Sequence, residues 1–209
     1  MKCSIFWDFD GVILDSMAVR DWGFEEIFKD FPRDRVAQLI KYHRLNGGLS
    51  RYVKIRYFYE EILAKEITEE LVMQYALEFS RLMKKALINP KNLLEDSLTF
   101  IKENHQNYNF HIVSGSDQKE LRFLCKELKI DKYFKSIHGS PTTKKQLVKN
   151  ILEKYRYAKS STCLIGDSVN DYEAAESNQI KFYGYNSPYL KSLNLEYIDD
   201  FRGLEPIFF

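Results

Sequence analysis

Asp8-Phe9-Asp10-Gly11-Val12, preceded by Lys2-Cys3-Ser4-Ile5-Phe6-Trp7, is the stretch on which the fold turns. The first six residues read as a short buried strand, and the two carboxylates follow where that strand ends and a glycine frees the backbone. Positions i and i+2 of an extended chain point the same way, so Asp8 and Asp10 share a face. Two like charges side by side repel unless a cation or a proton joins them. The pair suits a divalent metal, with one carboxylate free to attack and the other to move a proton. A charged loop after a core strand would carry the same letters, so the rest of the chain has to decide.

Two styles of sequence follow. From about residue 16 to 87 the apolar residues recur at helical spacing in four runs: Trp22, Phe24, Ile27, Phe28 and Phe31; Val36, Leu39, Ile40 and His43; Val53, Tyr57, Phe58 and Leu63; then Leu71, Val72, Tyr75, Phe79, Leu82 and Met83 behind Thr68 as N-cap. Asn89-Pro90 closes this region. Beyond it strands and helices alternate. Phe110-His111-Ile112-Val113, Ser136-Ile137-His138, Thr162-Cys163-Leu164-Ile165 and Lys181-Phe182-Tyr183-Gly184-Tyr185 read as strands, separated by helices around Leu121–Leu128, Leu147–Leu152 and Asp171–Ser177. Alternation of this kind implies an α/β fold with a doubly wound parallel sheet. The strand at 2–7 has to join that sheet, which makes the helical run an insertion after it. The expected division is a core of residues 1–15 and 89–209 with a helical cap of residues 16–88.

Ligands of such sheets bind beyond the carboxyl ends of the strands. Strand one ends at Asp8 and Asp10, the next at Ser114-Gly115-Ser116, the third at Gly139-Ser140-Pro141-Thr142-Thr143-Lys144, and the fourth at Gly166-Asp167-Ser168 with Asp171 four residues beyond Asp167. Carboxylates could hold a metal, a hydroxyl and backbone amides could hold phosphate oxygens, and a lysine could neutralise charge. Ser116 and Asp117 read as an N-cap, and Asp171 either caps its helix or orients a neighbour. His43, His105, His111 and His138 are scattered without ligand spacing and read as structural.

The order and spacing of these strand ends resemble the haloacid dehalogenase superfamily, whose members are mostly phosphatases, with Asp8 to Val12, Val113-Ser114-Gly115, Lys144 and Gly166 to Asp171 standing for its four motifs. The resemblance implies that Asp8 is the nucleophile and forms an aspartyl-phosphate. Asp10 would protonate the leaving oxygen and then activate water. Asp8, Asp167 and the main-chain carbonyl of Asp10 would hold Mg²⁺. Ser114 and the amide of Gly115 would bind phosphoryl oxygens, and Lys144, or its neighbour Lys145, would offset charge. The helical insertion is similar to that family's small cap. Within it Gly48-Leu49-Ser50-Arg51 resembles the cap loop of beta-phosphoglucomutase relatives, where the arginine holds a substrate phosphate; a surface arginine is the other reading of Arg51. Arg20 stands where that mutase group has a histidine, a departure that counts against mutase activity.

A net charge of +1 argues against a nucleic-acid partner or a strong attraction to anionic membrane. No apolar run approaches the length of a membrane span, and Asp8 and Asp10 interrupt the N-terminal run too early for a signal peptide. Three cysteines without paired spacing suit a reducing, cytoplasmic setting. The expected activity is Mg²⁺-dependent hydrolysis of a small phosphorylated metabolite, a sugar phosphate among the candidates, by a monomer or weak dimer. A phosphomutase using the same residues and a catalytically silent binding relative are the alternatives.

Overall fold

The structure is a computed structural model and describes residues 2–202. Met1 and the last residues of the expected core, 203–209, lie outside the described residues. Six parallel strands form one sheet: β1 (Ser4–Trp7), β2 (Asn109–Asp117), β3 (Ser136–Ser140), β4 (Thr162–Gly166), β5 (Lys181–Tyr185) and β6 (Tyr197–Ile198). Their order across the sheet is β3-β2-β1-β4-β5-β6, with β1 paired to β2 on one side and to β4 on the other.

The alternation along β1 assigns the two faces. Ile5 and Trp7 point to one side, where Phe110, Ile112 and Ile165 of the sheet meet α5 (Glu95–Asn104) and α6 (Gln118–Glu127). Phe6 points to the other, against Val113 and Leu164 and the apolar faces of α7 (Lys144–Tyr155) and α8 (Val169–Asn178). All three β1 side chains are fully buried, each contributing about 1.5–3 kcal/mol by burial. Because both faces are covered, the strand reads as a continuous apolar run in the sequence.

Between β1 and α5 the chain is helical: α1 (Met17–Ile27), α2 (Arg33–Leu45), α3 (Arg51–Tyr57), which continues as a wider π turn over Phe58–Ile62, and α4 (Glu69–Ala86). The expected N-caps hold here, with Ser50 accepting from Val53 N and Thr68 from Leu71 N. Among the described residues no strand interrupts this segment. Its apolar stripes differ in detail from the periodicity, since Trp22 and Val53 are largely exposed. The π turn shifts the phase of the third run, which puts Phe58, Tyr59 and Ile62 inside instead.

The two connections between the helical segment and the sheet run side by side. Asp15 N donates to Asn92 O at 2.7 Å and Leu94 N to Ile13 O at 3.0 Å, while Ser97 Oγ donates to Val12 O at 2.5 Å. The sequence reading did not include α5, the short α9 (Pro188–Ser192) or β6. It also ended β2 at Val113, whereas the strand runs on to Asp117. Cys3, Cys125 and Cys163 are free thiols, and no described helix is long and apolar enough to cross a membrane.

Candidate active site

The sheet order reverses direction between β1 and β4, and ligands of open α/β sheets bind at that point, beyond the carboxyl ends. Asp8 leaves β1 there, its N–H donating to Ile165 O of β4 at 2.9 Å, and Asp167 follows β4 directly. Gly11 closes the loop with φ +76°, and a Cβ on it would stand 2.0 Å from Asp167 Oδ2. A side chain there would meet both backbone strain and a clash, so glycine is what lets the Asp8–Asp10 loop lie against Asp167. On the other side, the register of β2 against β3 shifts between Val113 and Asp117. Such an irregularity re-aims side chains, and here Ser114 and Gly115 turn into the cavity that Asp8, Asp10 and Asp167 line.

Carboxylate oxygens of Asp8, Asp167 and Asp171 lie within 4.8 Å of one another. Lys144, at the first position of α7, is buried against them: its Nζ is 2.9 Å from Asp8 Oδ1 and pairs with Asp171 Oδ1. Burial works against the Lys144 charge, but Asp171 and Asp8 outweigh it and raise its pKa. Lys145 is exposed, so Lys144 is the lysine of the cluster. Asp171 serves both functions foreseen for it. Its Oδ2 accepts from Ser168 N at 3.1 Å and Ser168 Oγ at 2.5 Å, closing a capping box on α8, while Oδ1 holds Lys144. One ammonium does not balance three carboxylates. Burial, then the Asp171 charge, pushes the Asp8 carboxyl up to about 7 despite Lys144. Burial and the Asp8 charge push Asp167 well above the ordinary range. Asp8 Oδ1 also lacks a hydrogen bond of good geometry, although Lys144 stands beside it. An oxygen-only donor set with excess negative charge fits a hard divalent cation, and magnesium suits it.

Asp10 is held apart from this trio. Its Oδ1 accepts from Ser16 Oγ at 2.5 Å and Arg20 Nε at 2.6 Å, and its Oδ2 from Ser116 Oγ at 2.6 Å. Burial opposes ionisation, but the Arg20 guanidinium and the two hydroxyls outweigh it and hold the carboxyl below its ordinary range. Ser116 is thus a partner of Asp10, whereas the N-cap of α6 is Asp117 alone, accepting from Lys119 N and Glu120 N at 3.0 Å. Arg20 reaches on to Glu120 of α6, whose Oε1 accepts from Arg20 Nη1 at 3.2 Å. The other oxygen of Glu120 accepts from Arg51 Nη1 at 2.6 Å, and Arg51 also donates to Ser80 Oγ at 2.6 Å and lies over the Phe79 ring. Arg51 is therefore buried and paired, not a surface residue. The sequence reading missed Ser16, Ser116 and Glu120 as parts of this network. Glu120 occupies an apolar-facing position of a helix, and that misplaced charge was the available signal.

The loop Asn46–Leu49 presses on the site. A Cβ on Gly115 would lie 2.3 Å from Gly48 O, so the two backbones touch as only glycine allows. Lys54 of α3 fastens the loop, its Nζ within 2.8 Å of His43 Nδ1 and donating to Gly47 O at 3.2 Å. Beneath it Asp8, Asp10, Ser114, Gly115 and Asp167 enclose a cavity of about 10 Å³, room for about one water.

The family pattern of haloacid dehalogenase-like hydrolases matches residues 5–185, which spans both the strand ends and the helical segment. The chain belongs to that family. A comparison with curated proteins finds no match. Among solved structures, this haloacid dehalogenase-like hydrolase is similar to the beta-phosphoglucomutase of Clostridium difficile, with a TM-score of 0.77 at 15% identity over 98% of this chain and 94% of that one. It is also similar to a predicted phosphoglycolate phosphatase of Haemophilus somnus, at TM-score 0.72 and 19% identity over 96% and 95%. A third is a haloacid dehalogenase-type hydrolase of Bacillus subtilis, solved with magnesium and described as showing interdomain movement, at TM-score 0.69 and 17% identity over 95% of both chains. At these identities the likeness is one of fold.

Proposed function

We propose that this hydrolase is a magnesium-dependent phosphatase of a small phosphorylated metabolite, acting through a phosphoryl group carried on Asp8. The observation that carries the reading is the Asp8 carboxylate, buried at the sheet's switch point beside Lys144 and opposite Asp167, with a second carboxylate, Asp10, hydrogen-bonded close by. In the first half-reaction an Asp8 oxygen bonds to phosphorus, the ester P–O bond breaks, and the leaving oxygen takes a proton from Asp10, which has to part from Arg20 to carry that proton. In the second, water attacks the same phosphorus, gives its proton to Asp10, and the Asp8–phosphorus bond breaks to release phosphate. Ser114 Oγ accepts from Ser116 N at 3.1 Å, which leaves its O–H to donate to a phosphoryl oxygen beside the Gly115 amide. Lys144 neutralises part of the charge between Asp8 and phosphate. A magnesium ion held by Asp8, Asp167 and the Asp10 carbonyl would supply charge stabilisation to the transferring group.

Residues 16–88 act as a cap over a core of residues 1–15 and 89–209 in this reading. The 10 Å³ cavity is too small for a phosphoryl group, so admission of substrate requires the Gly48–Gly115 contact to open. The paired connections at Asp15–Asn92 and Ile13–Leu94 are the natural place for that movement. Incubating the protein with a panel of phosphorylated metabolites, with and without Mg²⁺, tests the proposal: metal-dependent phosphate release is expected. An isomerised sugar phosphate without free phosphate would replace it with a phosphomutase.

A further inference from the structure

Two cavities adjoin at Asp10. The space of about 10 Å³ at the strand ends and a second of about 20 Å³ share Asp10, Met17, Gly47 and Gly115. Asp10 stands in both, and it is the group that hands a proton to the leaving oxygen, so the leaving group starts at their boundary. A ligand admitted by opening of the Gly48–Gly115 contact would reach from Asp8 into the second space, whose wall carries Arg20, Arg51 and Lys54. A larger, open cleft of about 480 Å³ lies on the far side of the same contact, but none of Asp8, Asp10 and Asp167 lines it.

The wall has two unmet needs. Arg20 gives Nε to Asp10 and Nη1 to Glu120, and its Nη2 is buried without a hydrogen-bond partner. A buried donor in that state costs the fold free energy until an acceptor reaches it, and the two bonded nitrogens of the planar guanidinium fix its direction. Arg51 takes the other oxygen of Glu120, donates to Ser80 and lies over the Phe79 ring. Two arginines thus meet two carboxylates. Lys54 comes in addition to them. Its ammonium is buried against a ring nitrogen of His43 and the Gly47 carbonyl, and no carboxylate among the described residues pairs with it. Asp21, behind His43, is held by Arg44 at 2.8 Å. Burial, then the Arg20 charge, pushes Lys54 down to about 7, and an anion beside it would reverse that. A buried donor that lacks an acceptor and a buried cation that lacks a counter-ion line one small space, and a single anionic group answers both.

We infer that Arg20 and Lys54 are the specificity-determining pair for the leaving group, Arg20 Nη2 and Lys54 Nζ together binding a second anionic group, a carboxylate or a phosphate, that the leaving group carries. The inference rests on the phosphatase reading and narrows its substrate. It places the anion on the two side chains whose bonding capacity is unfilled, and not on Arg51, which Glu120 already balances.

The test is phosphate release with Mg²⁺ from two doubly anionic esters, phosphoglycolate and a sugar bisphosphate, and from two with uncharged leaving groups, glycerol phosphate and glucose phosphate. Para-nitrophenyl phosphate is the reference. The wild-type protein is expected to favour at least one of the doubly anionic pair in kcat/KM by roughly tenfold or more, and which of them it favours separates a carboxylate from a phosphate. In Lys54→Met that preference should fall roughly 10–100-fold, mainly through KM, as expected for the loss of a charged hydrogen bond made to bound substrate. Lys54→Arg should restore much of it. Arg20→Lys keeps a cation for Asp10 but withdraws Nη2, and should lower the preference in the same sense. A merely structural Lys54 would lower all rates together and leave the preference unmoved. That result in folded Lys54→Met and Arg20→Lys overturns the inference, as does a wild-type preference for the uncharged leaving groups. A larger loss of preference in Arg51→Met than in Lys54→Met also overturns it, because the anion would then sit on Arg51. If the variants fail to fold, the wild-type preference decides. Absence of phosphate release from every ester, the reference included, overturns the phosphatase reading itself and the inference with it.

Discussion

Arg20 Nε stands 2.6 Å from Asp10 Oδ1, so a helix of the inserted segment grips the carboxylate that follows the central strand. The same guanidinium touches Glu120, a residue of α6 far away in sequence. One side chain thereby joins the helical segment, the first strand end and a helix on the face of the sheet.

Replacing Arg20 by Met removes the charge and keeps much of the volume. Asp10 keeps its two serine donors and Glu120 keeps Arg51, but both carboxylates lose an ionic partner while buried. Breaking one side of a buried ion pair costs about 3–5 kcal/mol, and the midpoint of urea unfolding should fall accordingly. An unchanged midpoint would show that solvent reaches these groups.

Asp8→Asn keeps the shape of the nucleophile and removes its charge. Turnover should vanish, and beryllofluoride with Mg²⁺, which mimics a phosphorylated aspartate, should no longer bind. Asp10→Asn should slow phosphate release by about 10²–10⁴-fold, the usual worth of general acid–base help, while leaving the protein folded. Near-normal release from Asp8→Asn would end the covalent mechanism.

Asp167 tests the metal assignment by a readout other than rate. Its carboxyl is pushed well above its ordinary range by burial and by Asp8, so its ionised form is a cost to the fold without metal. Asp167→Asn should raise Tm in the absence of magnesium by about 2–4 °C, the equivalent of roughly 1 kcal/mol for a chain of this size. It should also abolish the further rise that magnesium gives the unmutated protein. A variant with the same magnesium-induced shift as the wild type would place the ion elsewhere.

Two histidines contribute a loss of stability on the acid side, opposed there by Asp8 and Asp167, whose raised carboxyls take up protons in the fold before they do in the unfolded chain. Burial, with the Lys54 charge, holds His43 down to about 2, and burial, with His138, holds His111 down to about 3, against an ordinary value of 6.5. Both stay neutral in the fold, while the unfolded chain takes up protons below 6.5. At these two sites the unfolded state therefore binds more protons below that pH, so their share of stability is full above it and falls with pH toward the folded values. The first unit below 6.5 should cost roughly 1 kcal/mol for each histidine. Urea midpoints measured on either side of that pH check this as a difference: the change on acidification should be less favourable in the wild type than in His43→Gln or His111→Gln by roughly 1 kcal/mol per histidine.

The sequence by itself determined the order of strands and helices from Phe110 to Tyr185, the helical character of the insertion and, β2 apart, which residues stand at the strand ends. Those features are local. A β1 buried on both faces must be apolar throughout, and the carboxyl ends of parallel strands all open on one edge, so Asp8, Ser114, Lys144 and Asp167 could be read as neighbours before any distance was known. Asp171 was legible twice over, as a cap and as a lysine partner, because both bonds follow from its place in the first turn of α8. Only the tertiary structure decided the partners of Asp10, the burial of Arg51 and the part played by Glu120. Arg20 and Glu120 are 100 residues apart, and nothing in either helix alone says that they meet. Their pairing depends on how the inserted helices settle on α6, a packing of two surfaces whose charges have to cancel once water is excluded. The same docking placed Gly48 against Gly115 and so decided where the open cleft lies.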